Sequence, residues 1–218
     1  MTYILIIFFG LFTISHVIIY QDFSNSMIQE QIETLEKKNS KLIDIVQSYL
    51  NEKKDVLRMF INREDVIKAF LEFNSSFHNI GNVDIENISN SLPKYQNGKI
   101  LQYFYIDKSV LYRDNRWELL FSDANLEYDQ VHSRYHTYIY NWKIDNGIYD
   151  VLFVDLEGHI IYSSMKNRDF GTNIKNGIFS NSTLGEIFKH FSKYKESKEV
   201  IFSDFSQYKP SRNKWIGF

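Results

Sequence analysis

Cysteine is absent from this 218-residue chain, which excludes disulfides, thiolate zinc sites, iron–sulfur clusters and cysteine nucleophiles. Two prolines and nine glycines are too few for a glycine-rich phosphate-binding enzyme or a many-turned β-sandwich. An excess of one charge is lacking as well. Against 27 acidic residues stand 25 basic ones, and a net charge of -2 gives no global field to hold nucleic acid or a strongly anionic partner. No nucleic-acid partner is expected. The phosphate-cradling patterns G-x-x-x-x-G-K-[ST] and G-x-G-x-x-G do not occur, nor does a G-x-S-x-G nucleophile elbow, and no carboxylate pair stands out as an acid–base couple. The chain therefore reads as non-catalytic, with no cofactor and no metal. What it has is apolar material: 44% hydrophobic and 17% aromatic residues, enough for a real core and against wholesale disorder.

That material is unevenly placed. Tyr3 to Tyr20 holds no formally charged residue, and 18 residues at helical rise reach about 27 Å, close to the hydrocarbon thickness of a bilayer. Residues 1–20 are read as an uncleaved transmembrane helix, since the stretch lacks a small-residue cleavage site and exceeds a usual signal-peptide apolar run. Only Met1 and Thr2 precede it, so charge does not fix its orientation. His16 reads as an imidazole on the helix face near the membrane interface.

Residues 21–74 contain neither proline nor glycine and are rich in Glu, Lys, Leu and Ile, which predicts a long stalk helix with a break or two. Ile28, Leu35, Leu42, Tyr49 and Val56 recur every seven residues, followed four places later by Ile32, Asn39, Val46, Lys53 and Phe60. Such a seam suits pairing with a second copy, with Asn39 as a register device, and equally suits docking on the chain's own following domain. The dense apolar patch from Val66 to Phe73 marks where the helix meets a globular body.

Residues 75–218 are read as one module. An Asn/Ser-rich connection to about Lys99 carries a short helical piece near Ile85 to Leu92. Leu126, Val131, Tyr135, Tyr138 and Trp142 have helical spacing. Tyr149 to Asp155 and His159 to Ser164 are β-rich runs around an acidic, Gly158-bearing turn, which predicts a hairpin. Ser182 to Tyr194 predicts a helix with Ser182 as its N-cap. Glu199 to Phe205 reads as a strand, and Trp215 to Phe218 as the opening of another on which the chain stops, which reads as truncation. The order predicts an α+β arrangement, an antiparallel sheet with helices packed on it.

From Asp123 to Phe218 the chain resembles the extracytoplasmic double Cache, PAS-like sensor region of bacterial methyl-accepting chemotaxis proteins and related membrane histidine kinases and cyclases. The strings that carry the resemblance are Asp123-Ala124-Asn125 with Tyr128, His132-Ser133-Arg134-Tyr135-His136, and Tyr149-Asp150-Val151-Leu152-Phe153-Val154-Asp155 with Gly158. They continue with Ile161-Tyr162-Ser163, Asp169-Phe170-Gly171-Thr172-Asn173, Ser182-Thr183-Leu184-Gly185 and Ser203-Asp204-Phe205-Ser206-Gln207-Tyr208-Lys209-Pro210-Ser211. The resemblance implies a first transmembrane helix, a stalk helix, and a membrane-distal PAS-like antiparallel sheet flanked by helices. It further implies a small-molecule ligand, a homodimer through the stalk, and placement in a bacterial cytoplasmic membrane with the sensor periplasmic or extracellular. A chemotaxis receptor is the expected whole, with a kinase or cyclase sensor as the alternative. Amino-acid-sensing members carry an Arg-x-Trp-Tyr string. Here Arg116 and Trp117 are adjacent and Arg168-Asp169-Phe170 has no Trp, so an amino-acid ligand is not supported.

Small polar ligands need a few convergent polar groups in an otherwise aromatic cavity. Tyr112, Arg116, Trp117, Tyr149, Tyr162, Asp169 and Asp204 are the candidate ligand-binding residues, chosen for their places near strand ends or beside the hairpin. A rival reading is a membrane-tethered metal-dependent enzyme domain, with Asp129, His132 and His136 as ligands on one helix face. Ser133 stands where an H-E-x-x-H motif has its Glu, so metalloprotease chemistry is excluded.

Overall fold

A computed structural model of the chain describes residues 2–81, 83, 92–109, 111, 113–193 and 200–218. Two compact units divide it, residues 1–55 and 56–218. The described residues of the first are wholly helical. They are the greater part of α1 (Thr2–Ile61), a helix of 60 residues. Among the described residues one helix is long and apolar enough to cross a membrane, and it is this one, with a mean hydropathy of 1.6 in its best window and none of that window buried. Within the same unit the seam residues Leu35, Leu42, Val46 and Tyr49 are all more than half exposed.

The second unit begins as the seam changes role. Phe60 is buried, its ring stacked on Trp142 at 3.7 Å. Residues 62 and 63 break the helix without proline or glycine. Arg63 turns extended and forks onto Asp65 at 3.0 and 2.8 Å, while Asp65 Oδ1 also accepts the Val66 N–H. Glu64 and Asp65 thus open α2 (Glu64–His78) with negative charge at its positive end. Val66, Ala69, Phe73 and Phe77 fall three and four apart and are all buried.

Next come α3 (Gln96–Gln102), a π-helical turn (Tyr103–Asp107), a 3-10 turn (Arg113–Glu118) and α4 (Glu127–Asp145). Asp129 fixes the start of α4 by accepting the N–H groups of Leu126 at 2.8 Å and Ser122 at 3.0 Å. The buried stripe of α4 is polar as well as apolar: Tyr128, Val131, His132, Tyr135, His136, Ile139 and Lys143.

The predicted hairpin forms. β1 (Leu152–Val154) and β2 (Ile160–Ser163) pair antiparallel, with Phe153 opposite Tyr162. Gly158 takes φ +94° in the turn, a conformation that a side chain would strain. β1 is shorter than the predicted 149–155 run because side chains replace the ladder at its start, where Ser164 Oγ accepts the Val151 N–H and donates to Asp150. The Asp169–Asn173 string then returns beside β2, exchanging backbone bonds between Ile160 and both Gly171 and Thr172. Its Gly171 lies so close to Gly98 of α3 that a Cβ on Gly98 would stand 2.0 Å from the Gly171 carbonyl oxygen. No larger residue fits there.

Helix α5 (Thr183–Lys193) begins at Ser182, whose hydroxyl accepts the Gly185 N–H at 3.3 Å, as an N-cap does. The strand expected at 199–205 is displaced. Residues 200–205 form no ladder, and β3 (Ser206–Tyr208) pairs instead with β4 (Lys214–Ile216), which overlaps the run expected to open a strand at Trp215. The described residues thus hold mixed helices with two small, separate two-stranded antiparallel sheets, where a single sheet was expected. The helical piece expected at 85–92 lies outside the described residues, apart from Leu92.

The core sits where α2 and α4 meet the hairpin. Phe73 of α2 is fully buried and touches Tyr162, Phe153, Tyr128 and Tyr135, with ring centres 4.6 to 6.2 Å apart. His132 and His136 bring α4 onto the same Tyr162.

Candidate functional site

Beside this aromatic core lies a buried polar cluster built by three segments. α4 supplies His132 and His136, β2 supplies Tyr162, and the loop after β2 supplies Lys166 and Asp169. Lys166 is completely buried, at φ +51°, with its N–H donating to Ser163 Oγ. Its ammonium nitrogen stands 3.2 Å from His136 Nε2. That same Nε2 lies 2.5 Å from the Trp117 carbonyl, which can only accept, so the ring proton belongs on Nε2. Nδ1 then accepts from the Tyr162 hydroxyl at 2.9 Å. Lys166 has no lone pair to donate to on this ring.

The electrostatics follow from that enclosure. Burial, and next the charge of Lys166, press the His136 pKa down to about 3. His132 is held well below its ordinary value by the same two causes in the same order. Both rings are neutral and stack at 4.4 Å. Burial likewise holds Lys166 well below the usual lysine range, opposed by the Asp150 charge. Asp150 is itself raised by burial against hydrogen bonds from Ser164, Ser163 and the Met165 N–H. Asp169 is carried up to about 7 by burial and then by the Asp150 charge, against a 2.8 Å hydrogen bond from the Tyr208 hydroxyl.

Two polar atoms of the cluster have no hydrogen-bond partner although both are buried. One is Asp169 Oδ1. The other is His132 Nε2, an acceptor because the ring donates its Nδ1 proton to the Leu120 carbonyl at 3.0 Å. An unmatched buried polar group costs about 1–3 kcal/mol. A molecule carrying an acceptor for Lys166 and a donor for His132 Nε2 would satisfy that side of the cluster, and Asp169 Oδ1 calls for a donor or a proton of its own.

Of the residues expected at a ligand site, Tyr162 and Asp169 belong to this cluster, and Trp117 closes it through its carbonyl while its ring stacks on Tyr140 at 4.4 Å. Arg116 sits half-buried on the same 3-10 turn. Tyr149 stands apart, its carbonyl accepting from Lys143 Nζ at 3.0 Å and its ring under Lys214. Asp204 is exposed on the 200–205 segment and joins nothing in the cluster. Tyr112 lies outside the described residues. Asp129, His132 and His136 do not converge as metal ligands. Both Asp129 oxygens are engaged by N–H groups and by the Tyr105 hydroxyl at 2.6 Å, and His136 has both nitrogens occupied.

Sequence reasoning missed Lys166, the buried charge at the centre, because a lone lysine in a loop carries no pattern. It also missed a second grouping, His78, Asp155 and His159, whose ligand-type atoms all lie within 4.8 Å of one another. Asp155 stays below its ordinary pKa although burial pushes it up, because His159 and His78 hydrogen-bond to it. A surface hollow of about 240 Å³ between α2 and α4, lined by Glu72, Glu127 and Arg134, is crossed by the Arg134–Glu72 ion pair and is too shallow to enclose a ligand. No protein-family model, no curated protein and no solved structure matches the chain.

Proposed function

We propose that the chain is the sensing portion of a bacterial transmembrane receptor: a small polar molecule binds the buried cluster, and the apolar start of α1 holds the body outside the cytoplasmic membrane. The observation that carries this reading is the unmatched buried His132 Nε2, within reach of the Lys166 charge, together with a second unmatched buried atom, Asp169 Oδ1, on the loop that carries Lys166. The ordered strings from Asp123 to Phe218 and the position of the apolar helix ahead of them support it. On this reading the small sheets belong to a PAS-like module. The strings resemble those of chemotaxis receptors, histidine kinases and cyclases alike, which differ in output; a chemotaxis receptor is the form we propose. The exposed seam from Leu35 to Tyr49 pairs two copies. Ligand entry displaces the loops that cover the cluster, residues 113–118 and 165–172, rather than α4 or the hairpin, because loops open at lower free energy.

The test is a thermal-shift screen of the full chain in detergent micelles against organic acids, amines and sugars. A binder present at 100 times its Kd adds about 2.7 kcal/mol to stability. For a body of this size that is a rise of roughly 5–10 °C. The reading fails if no compound in these classes shifts the midpoint. Sedimentation in the same detergent tests pairing: the wild type should run as a dimer and Leu42→Asp as a monomer.

A further inference from the structure

We propose that His78, Asp155 and His159 bind a divalent transition-metal ion of the zinc class, clamping the C-terminal turn of α2 to the turn of the β1–β2 hairpin. This site is separate from the polar cluster and does not depend on the receptor reading.

Two imidazoles converge on one carboxylate oxygen. Asp155 Oδ2 stands 2.9 Å from His78 Nε2 and 3.0 Å from His159 Nδ1. Zinc with nitrogen and oxygen ligands at about 2.0–2.1 Å sets adjacent tetrahedral ligands about 3.3 Å apart. Two of the three edges are therefore within a few tenths of an ångström of a metal-bound triangle, and the third is no longer than 4.8 Å. His78 ends its helix and is 31% exposed, so its ring has room to close that distance.

The surroundings orient the donors. Asp155 Oδ1 is already engaged by the N–H groups of Glu157 at 2.9 Å and His159 at 2.8 Å, which aims Oδ2 at the two rings. The His159 ring packs against Tyr95 at 4.8 Å and Phe77 at 5.7 Å. Such outer contacts fix ligand orientation in metal sites. Glu157, exposed, holds an oxygen 3.8 Å from His159 Nδ1 and can swing in as a fourth donor, or leave that place to water. Two imidazoles with one or two carboxylates favour zinc and its neighbours. Calcium and magnesium prefer all-oxygen sites.

The experiment titrates zinc chloride into the chelator-stripped full chain in detergent by calorimetry, with cobalt(II) absorption as the coordination readout. One zinc per chain is expected, with a raised unfolding midpoint and the visible bands of four-coordinate cobalt. His78→Gln, on the exposed end of α2, should weaken zinc about 100-fold or more and remove the cobalt bands while circular dichroism stays that of the wild type. His159→Gln should do the same, and His190→Gln, on exposed α5, should change nothing. The proposal is overturned if the folded chain takes up no stoichiometric zinc, leaving a hydrogen-bonded triad only, or if zinc affinity survives in His78→Gln.

Discussion

Lys166→Met should make the empty protein more stable, not less. The lysine is fully buried, its side-chain nitrogen's one hydrogen-bond contact among the described residues is with a ring nitrogen whose proton already serves the Trp117 carbonyl, and methionine keeps the length of the stem. Replacing a buried ionic group with an apolar one of similar volume is typically neutral or stabilising by about 1–4 kcal/mol. At roughly 2–4 °C per kcal/mol for a body of this size, the midpoint should rise by roughly 2–16 °C. The sign of the pH dependence is fixed. A lysine whose folded pKa is depressed gives its full stability above the ordinary value of 10.5 and loses it as pH falls from there toward the folded value. The advantage of the methionine variant should therefore be large at pH 6 and shrink toward pH 9.5. Thermal unfolding followed by circular dichroism across that range measures it. A variant less stable than the wild type at every pH, or an advantage independent of pH, would refute the account of Lys166 as a charge held for recognition.

Three further outcomes are expected. Asp169 has a folded pKa of about 7, so its contribution is complete below about pH 4 and disappears as pH rises through 7. Asp169→Asn should gain on the wild type between pH 4 and 8 by on the order of 4 kcal/mol, read as a widening gap in denaturant midpoints, while the opposite trend from His132 and His136 cancels between the two proteins. Phe73→Ala removes the ring on which both helices and the hairpin converge and should lose about 3–5 kcal/mol in chemical denaturation, far more than an exposed aromatic such as Phe205→Ala. Because the chain has no cysteine, Asp204→Cys introduces a single exposed thiol; a membrane-impermeant maleimide should label it on intact cells, and labelling only after permeabilisation would contradict an extracytoplasmic body.

Where sequence and structure agree, a local pattern was responsible. The uncharged run of α1, the β-branched stretches on either side of Gly158 and the Ser182 cap are each set by neighbours along the chain. The helix break at 62–63 was expected only somewhere within the stalk, since it rests on the Arg63–Asp65 fork rather than on proline or glycine. The 199–205 strand failed because a β-rich composition does not choose a partner: Ser203 bonds irregularly to Phe218, and the regular ladder begins only at Ser206. The cluster was half legible. Tyr162 and Asp169 stood near strand ends, but Lys166 gains its meaning only from three-dimensional burial. The spacing of His132 and His136 suggests a metal, yet backbone carbonyls and the Tyr162 hydroxyl use those rings, and Asp129 is spent on capping the helix. The histidines that do converge on one carboxylate, His78 and His159, lie 81 residues apart in the chain.

The most direct test is calorimetric titration of the full chain, in detergent, with a compound that raises its unfolding midpoint. The account predicts one molecule bound per chain, with affinity reduced about 100-fold or more in a folded Lys166→Met protein and unchanged in His190→Gln. Equal affinity in the wild type and Lys166→Met would place recognition elsewhere and contradict it.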